Sequence, residues 1–286
     1  MLDSFFNGEN ILPYGKHYFK YLTDLIVVKN EIKNACLLTY DETYYNTKAE
    51  DEINELKRFA KKNNLNIRFS RLNDNTSEKL KSENEIKIEL YKVEFDFGAW
   101  AGQRYTVEAN KNIFGYPSCC VQKLINYRHR FNYMTTRFDE LCETTKKKSL
   151  PFYVNPFLLQ SPYHIYSHRP CSLECTETLK QSIRNFNVIA KENIHFAKKI
   201  RYLNKKIFLF LYDHNYCLIF DGKVKNNHII YKRIVMDNLP ERLSFLREDC
   251  KKGDNIITKD DSFIIRKGKE IVKMMKNQKN RVFEFY

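Results

Sequence analysis

Residues Tyr202-Leu-Asn-Lys-Lys-Ile-Phe-Leu-Phe-Leu-Tyr212 decide how this chain divides, because the hydrophobic period changes inside them. Upstream, Leu179, Ile183, Phe186, Ile189, Ala190, Ile194, Ala197 and Ile200 recur at helical spacing and predict one long helix from Cys171 to about Tyr202. From Lys206 the pattern becomes short runs of β-branched and aromatic residues at 206–212, 216–220 and 229–236. Turns are expected at Asp213-His-Asn and Asp221-Gly, and further strands at 256–258, 263–266 and 270–275. The chain therefore reads as a mixed α+β protein whose residues 205–286 form an antiparallel β module.

The amino-terminal part, 1–97, reads as an α/β layer. A helical pattern over 14–28 precedes the apolar strand Asn34-Ala-Cys-Leu-Leu-Thr-Tyr40. A helix over 50–63, with Ile53, Leu56, Phe59 and Ala60 on one face, leads to a strand at 65–70. Strand, helix, strand suggests a βαβ unit with parallel pairing. Polar residues 73–84 follow, and 85–97 alternate as a strand with a slip at Tyr91. Gly98-Ala-Trp-Ala-Gly102 ends it; Trp100 is expected as an aromatic plug, the other possibility being a pocket lip with Gln103, Arg104 and Tyr105.

Residues 98–204 form a helical unit distinguished by its cysteines. Pro117 stands just ahead of Cys119 and Cys120, and Pro170 just ahead of Cys171 and Cys175, each before a helical pattern. Both pairs are thus expected in the first turn of a helix, where unpaired N–H groups and the positive end of the dipole favour thiolate. Two ligand pairs from two local segments are what a four-cysteine metal site needs. Adjacent cysteines followed by a three-residue gap fit a zinc ribbon poorly, so an iron–sulfur cluster, [4Fe–4S], is expected ahead of zinc. A redox or nucleophilic thiol at Cys171 or Cys175, and plain burial, are the competing expectations. His168, three residues before Cys171, is the candidate catalytic residue at the rim, as a ligand, a base or a hydrogen-bond donor to a cluster sulfur, and His164 a weaker one. Glu94, Asp96 and Glu108 flank the first pair; a general acid or base among them is one expectation, and alternation assigns Glu94 and Asp96 instead to a solvated strand face. Cys36, Cys142, Cys217 and Cys250 lack neighbours at ligand spacing and are expected as core residues.

The words Gly-Tyr-Pro-x-Cys-Cys-Val at 115–121 and His-x-Pro-Cys-Ser-x-x-Cys at 168–175 resemble those of an uncharacterised prokaryotic family, domain-of-unknown-function family 483. The resemblance covers about residues 95–200. It implies only that this segment is a recurring unit whose cysteines belong together.

At 286 residues and 43% hydrophobic, the chain is long enough for a proper core. No apolar run approaches the roughly 18 residues of a membrane helix, and the amino terminus lacks a secretory pattern, so a cytoplasmic protein without disulfides is expected. Lys and Arg outnumber Asp and Glu 49 to 35, an imbalance that suits RNA or another anionic partner. No glycine-rich phosphate loop, His-Glu-x-x-His or nucleophile elbow occurs. The expected function is an iron–sulfur-dependent enzyme acting on an unidentified substrate, RNA among the candidates. The alternative is a non-enzymatic nucleic-acid-binding protein with a structural zinc or iron–sulfur site.

Overall fold

Ala35–Asp41 (β1), Asn66–Arg71 (β2) and Glu85–Tyr91 (β3) form a three-stranded sheet in the order β1-β3-β2. The computed structural model describes residues 2–9, 12, 16–41, 49–71, 85–92, 107–127, 140–142, 145–147, 149–159, 161–211, 216–237, 239, 241–259 and 261–286. Trp100, Gln103, Arg104, Tyr105, Glu94, Asp96, the Asp213-His-Asn stretch and the side chain of Glu108 lie outside these. The class is mixed α+β, with an antiparallel sheet in the carboxyl-terminal part.

The expected side-by-side parallel pairing of β1 and β2 is not formed. β3 lies between them and is antiparallel to both. Its Ile88 and Leu90 are fully buried, and Glu89, which points to the opposite face, is buried as well, so both faces of β3 are covered at this point. The helix Glu50–Lys62 still carries the chain over the sheet, so β1 and β2 run in the same direction, one strand apart. That helix buries Ile53, Leu56, Phe59 and Ala60 as its spacing predicts, with Glu50, Asp51 and Glu52 in its first turn and Lys61 and Lys62 in its last.

Numbered in chain order among the described residues, the other helices of the amino-terminal half are Leu2–Phe6 (α1), Leu22–Lys29 (α2), Val107–Phe114 (α4) and Ser118–Tyr127 (α5), with Glu50–Lys62 as α3. The expected helix over 14–28 is a 3-10 turn, His17–Tyr21, followed by α2. α2 is buried nearly all round, including Thr23 and Asp24. Thr23 Oγ1 donates to the His164 carbonyl at 2.7 Å, and Asp24 accepts from Lys33 Nζ at 3.0 Å. Polar groups on a buried helix are thereby satisfied by the chain around them.

The long helix expected over 171–202 is two helices, Thr176–Glu192 (α6) and Ile194–Asn204 (α7). Asn193 causes the break. Its Nδ2 donates to the carbonyls of Phe5 and Glu9, while its Oδ1 accepts the Phe196 N–H as a cap for α7. Apolar periodicity passes through such a joint unchanged, which is why spacing alone conceals it.

Two compact units are present: Met1–Ile125 with Leu159–His168 and Lys180–Lys199, and Asn126–Leu158 with Arg169–Leu179 and Ile200–Tyr286. The second contains an eight-stranded sheet. Its strands are Ser149–Leu150 (β4), Ile207–Leu211 (β5), Tyr216–Lys225 (β6), His228–Asp237 (β7), Asn255–Lys259 (β8), Ser262–Lys267 (β9), Glu270–Met275 (β10) and Asn280–Phe285 (β11), in the order β10-β9-β8-β7-β6-β5-β11-β4. All neighbours are antiparallel except β11 and β4. Phe157 packs against Phe208, Phe210 and Phe283.

Several features of this unit depart from the sequence pattern. Asp221-Gly222 is not a turn; β6 runs on to Lys225, and the chain reverses at Asn226, whose φ of 55° suits asparagine. A Cβ on Gly222 would lie 2.1 Å from the Ile230 carbonyl, so glycine is there for close approach of β7, at a register shift. Ser244–Lys252 (α8) and β11 were not anticipated, and the proline-rich segment contains a 3-10 turn at Phe152–Val154.

The buried Lys33–Asp24 pair generates a prediction. Burial raises the Asp24 carboxyl, but Lys33 and His164 outweigh it and hold it well below the usual range; burial lowers Lys33, but Asp24 outweighs it and holds the ammonium above its usual value. A depressed Asp contributes stability above its unfolded value, near pH 4, and loses it as pH falls further. A raised Lys contributes below about pH 10 and loses it above. Asp24→Asn should therefore cost about 3 kcal/mol at pH 7, because it leaves Lys33 buried without its counter-charge, and should flatten the acid limb. Urea unfolding at pH 7 and from pH 5 to 3 measures both; a loss under about 1 kcal/mol would contradict the assignment.

Candidate metal centre

Gly115 sets up the first cysteine pair. At φ 65° it ends α4 in the left-handed conformation, donating its N–H to the Lys111 carbonyl at 2.9 Å. Its own carbonyl accepts from Gln181 Nε2 at 2.9 Å, which holds the link Gly115-Tyr116-Pro117. The Pro117 carbonyl then accepts the N–H groups of Cys120 and Val121, at 2.9 and 3.1 Å, and opens α5. Cys119 is exposed and Cys120 buried in that first turn, with their sulfurs 3.9 Å apart.

The second pair does not sit in the first turn of a helix, as the sequence pattern predicts. Cys175 is the residue before α6, and Cys171 lies outside any helix. Cys175 caps α6: its Sγ accepts the Thr178 N–H at 3.4 Å, in the place usually taken by a serine or aspartate oxygen, and its carbonyl accepts from Leu179 at 3.0 Å. A sulfur held by a helix-end N–H is favoured as thiolate, the form that binds metals.

Across the chain the sulfurs of Cys119, Cys120, Cys171 and Cys175 lie within 4.8 Å of one another. The convergence expected from sequence is therefore present. Four soft donors in one small volume, two of them buried, have the chemistry of a thiolate metal site, so the residues fit a metal ion.

The structure leaves His168 out of this group of potential ligands. His168 is buried, its ring centroid 5.0 Å from that of Tyr166 and 5.5 Å from that of Tyr116. His164 belongs to another network: its Nδ1 donates to the Ser161 carbonyl at 2.7 Å, and its Nε2 faces Asp24 at 3.3 Å. The other four cysteines are buried. Burial pushes the thiols of Cys217 and Cys250 up to about 12, with a further push from nearby carboxylates, and raises Cys36 as well, so these three stay protonated at neutral pH. The Lys33–Asp24–His164 network was not anticipated from the sequence; the one signal was Asp24, a carboxylate inside the apolar stretch Leu22–Val28.

No protein-family model matches the chain, no curated protein does, and no solved structure does. The candidate centre therefore stands on its own geometry.

Two sets of substitutions separate ligands from packing residues. Serine at Cys120 or Cys175 should lower bound metal at least about tenfold, whereas serine at Cys36, Cys142, Cys217 or Cys250 should leave the metal-to-protein ratio unchanged. Elemental analysis of the purified variants reads both, and metal loss in the second set would place the site elsewhere.

Proposed function

We propose that this protein is a metalloprotein in which Cys119, Cys120, Cys171 and Cys175 bind a single tetrahedral ion, zinc or iron, in a mainly structural role. The supporting observation is the compactness of the four sulfurs, all within 4.8 Å. Four metal–sulfur bonds of about 2.3 Å give a tetrahedron about 3.8 Å on edge, close to the 3.9 Å between Cys119 and Cys120, whereas a cubane cluster spreads its thiolates further. Four protein donors fill a tetrahedral shell, and a filled shell contributes folding free energy rather than an open position for chemistry.

An anionic partner is part of the proposal. The excess of basic over acidic residues supports it, and the outer face of β6 and β7 presents exposed Lys223, Lys225, His228 and Lys232. Lys223 pairs with Ile230 and Lys225 with His228, so these side chains share one face. RNA is the partner class proposed. Its affinity should fall steeply with salt, and Lys223→Glu with Lys225→Glu should reduce both the affinity and the salt slope, by about one unit for each phosphate that is no longer neutralised.

A second reading, an enzyme dependent on a [4Fe–4S] cluster, is favoured by the exposure of Cys119 and partial exposure of Cys171. Such a ligand is accessible to exchange, and His168 is the acid–base group of that reading. Membership of domain-of-unknown-function family 483, on the two cysteine-bearing words, is proposed with either. Anaerobic purification with zinc, iron and sulfide analysis divides the two. One ion per chain without sulfide supports the structural site, about four irons with four sulfides the cluster, and no metal refutes both.

A further inference from the structure

Three buried ionisable groups face one cavity in the amino-terminal unit. Asp24, Lys33 and His164, together with Lys20, Tyr116 and Ser167, line a space of about 620 Å³. That volume is in the range of small-molecule sites. Asp24, Lys33 and His164 are each at most 8% exposed, and burying charge is costly unless each is matched. An ion pair kept for stability alone gains most when packing seals it, and here it borders open space.

The balance of charge selects the ligand. Among the described residues Asp24 is the sole acidic side chain on the wall, against the ammonium groups of Lys33 and Lys20. Lys33 Nζ donates to Asp24 Oδ1 and to Ser167 Oγ, leaving one of its three N–H groups, near the Tyr116 ring. Lys20 rests over the Tyr21 ring, its Nζ 4.9 Å from the centroid. Of the two ring nitrogens of His164, one donates to the Ser161 carbonyl and the other faces the Asp24 carboxylate, so no acceptor lone pair is offered to a cation. Leu37, Phe114 and Leu159 supply apolar wall.

We propose that this cavity binds a small organic anion, a single carboxylate or phosphate head on a largely apolar body, with Lys20 as the counter-charge and the remaining Lys33 N–H as donor. The Asp24 pairing keeps Lys33 protonated and aimed, so Lys33 anchors the head group and takes no part as a nucleophile. Tyr116 and Ser167 lie on the two chain segments that lead into Cys119 and Cys171. The proposal does not depend on a metal at those cysteines.

Titration calorimetry of the full chain tests it with benzoate, phenyl phosphate and the neutral benzyl alcohol, which share one body and differ in the head. At least one anion should bind saturably to a single site, with benzyl alcohol about tenfold weaker or more. Lys20→Ala should weaken the anion about fivefold or more, and Lys20→Arg should restore most of it. The preferred head, carboxylate or phosphate, is read from the two affinities. Absence of saturable binding by both anions up to about 10 mM, equal binding of the alcohol, or unchanged affinity in Lys20→Ala overturns the proposal. Lys20 lies on a half-exposed 3-10 turn, so its variants test the site without disturbing the buried pair.

Discussion

A buried ammonium must have its counter-charge close by, and in the amino-terminal unit that requirement ties three separate stretches of chain together. Lys33 stands in the turn between α2 and β1, Asp24 on α2, and His164 and Ser167 on a segment more than a hundred residues away. Apolar packing alone would allow α2 to slide or rotate against that segment at modest cost. A carboxylate fixed by an ammonium and a histidine ring allows one arrangement, since any other leaves a charge buried alone. The Thr23 hydroxyl on the His164 carbonyl and the Asn185 amide on the Ile165 carbonyl hold the same segment from either side.

The cysteines illustrate a complementary use of backbone polarity. Helix ends leave N–H groups without partners, and the chain meets them with sulfur at Cys175 and with the Pro117 carbonyl before Cys120. A helix-end N–H beside a sulfur, as at Cys175, favours the thiolate form that binds metals. A metal would then neutralise charge that the helix ends already tolerate. Cys217 and Cys250 show the contrast. With apolar surroundings and carboxylates as neighbours, their thiols are driven the other way.

In the carboxyl-terminal unit, close packing between strands governs the details. Gly222 lets the Ile230 carbonyl approach where any side chain would collide, and it does so inside a strand, not at a turn. Tyr231 Oη donates to the Cys250 carbonyl at 2.7 Å, which fastens α8 to β7. Arg281 of β11 donates to the carbonyls of Cys142 and Thr145, which ties β11 to that stretch of chain. Each is a tertiary interaction with no counterpart in local pattern.

By itself the sequence determined the α+β class, the extents of β1, α3, β5 and β10 to within a residue or two, and the grouping of Cys119 and Cys120 with Cys171 and Cys175. Those rest on hydrophobic period and on the spacing of unusual residues, both of which are local. Only the tertiary structure decided that β3 separates β1 from β2, that Asn193 divides α6 from α7, that Gly222 serves a close approach, and that Lys33 meets Asp24 and His164. Strand order, caps supplied from distant chain and buried charge pairs depend on which partner offers the matching group. That partner lies far away in sequence, so no period or spacing encodes it.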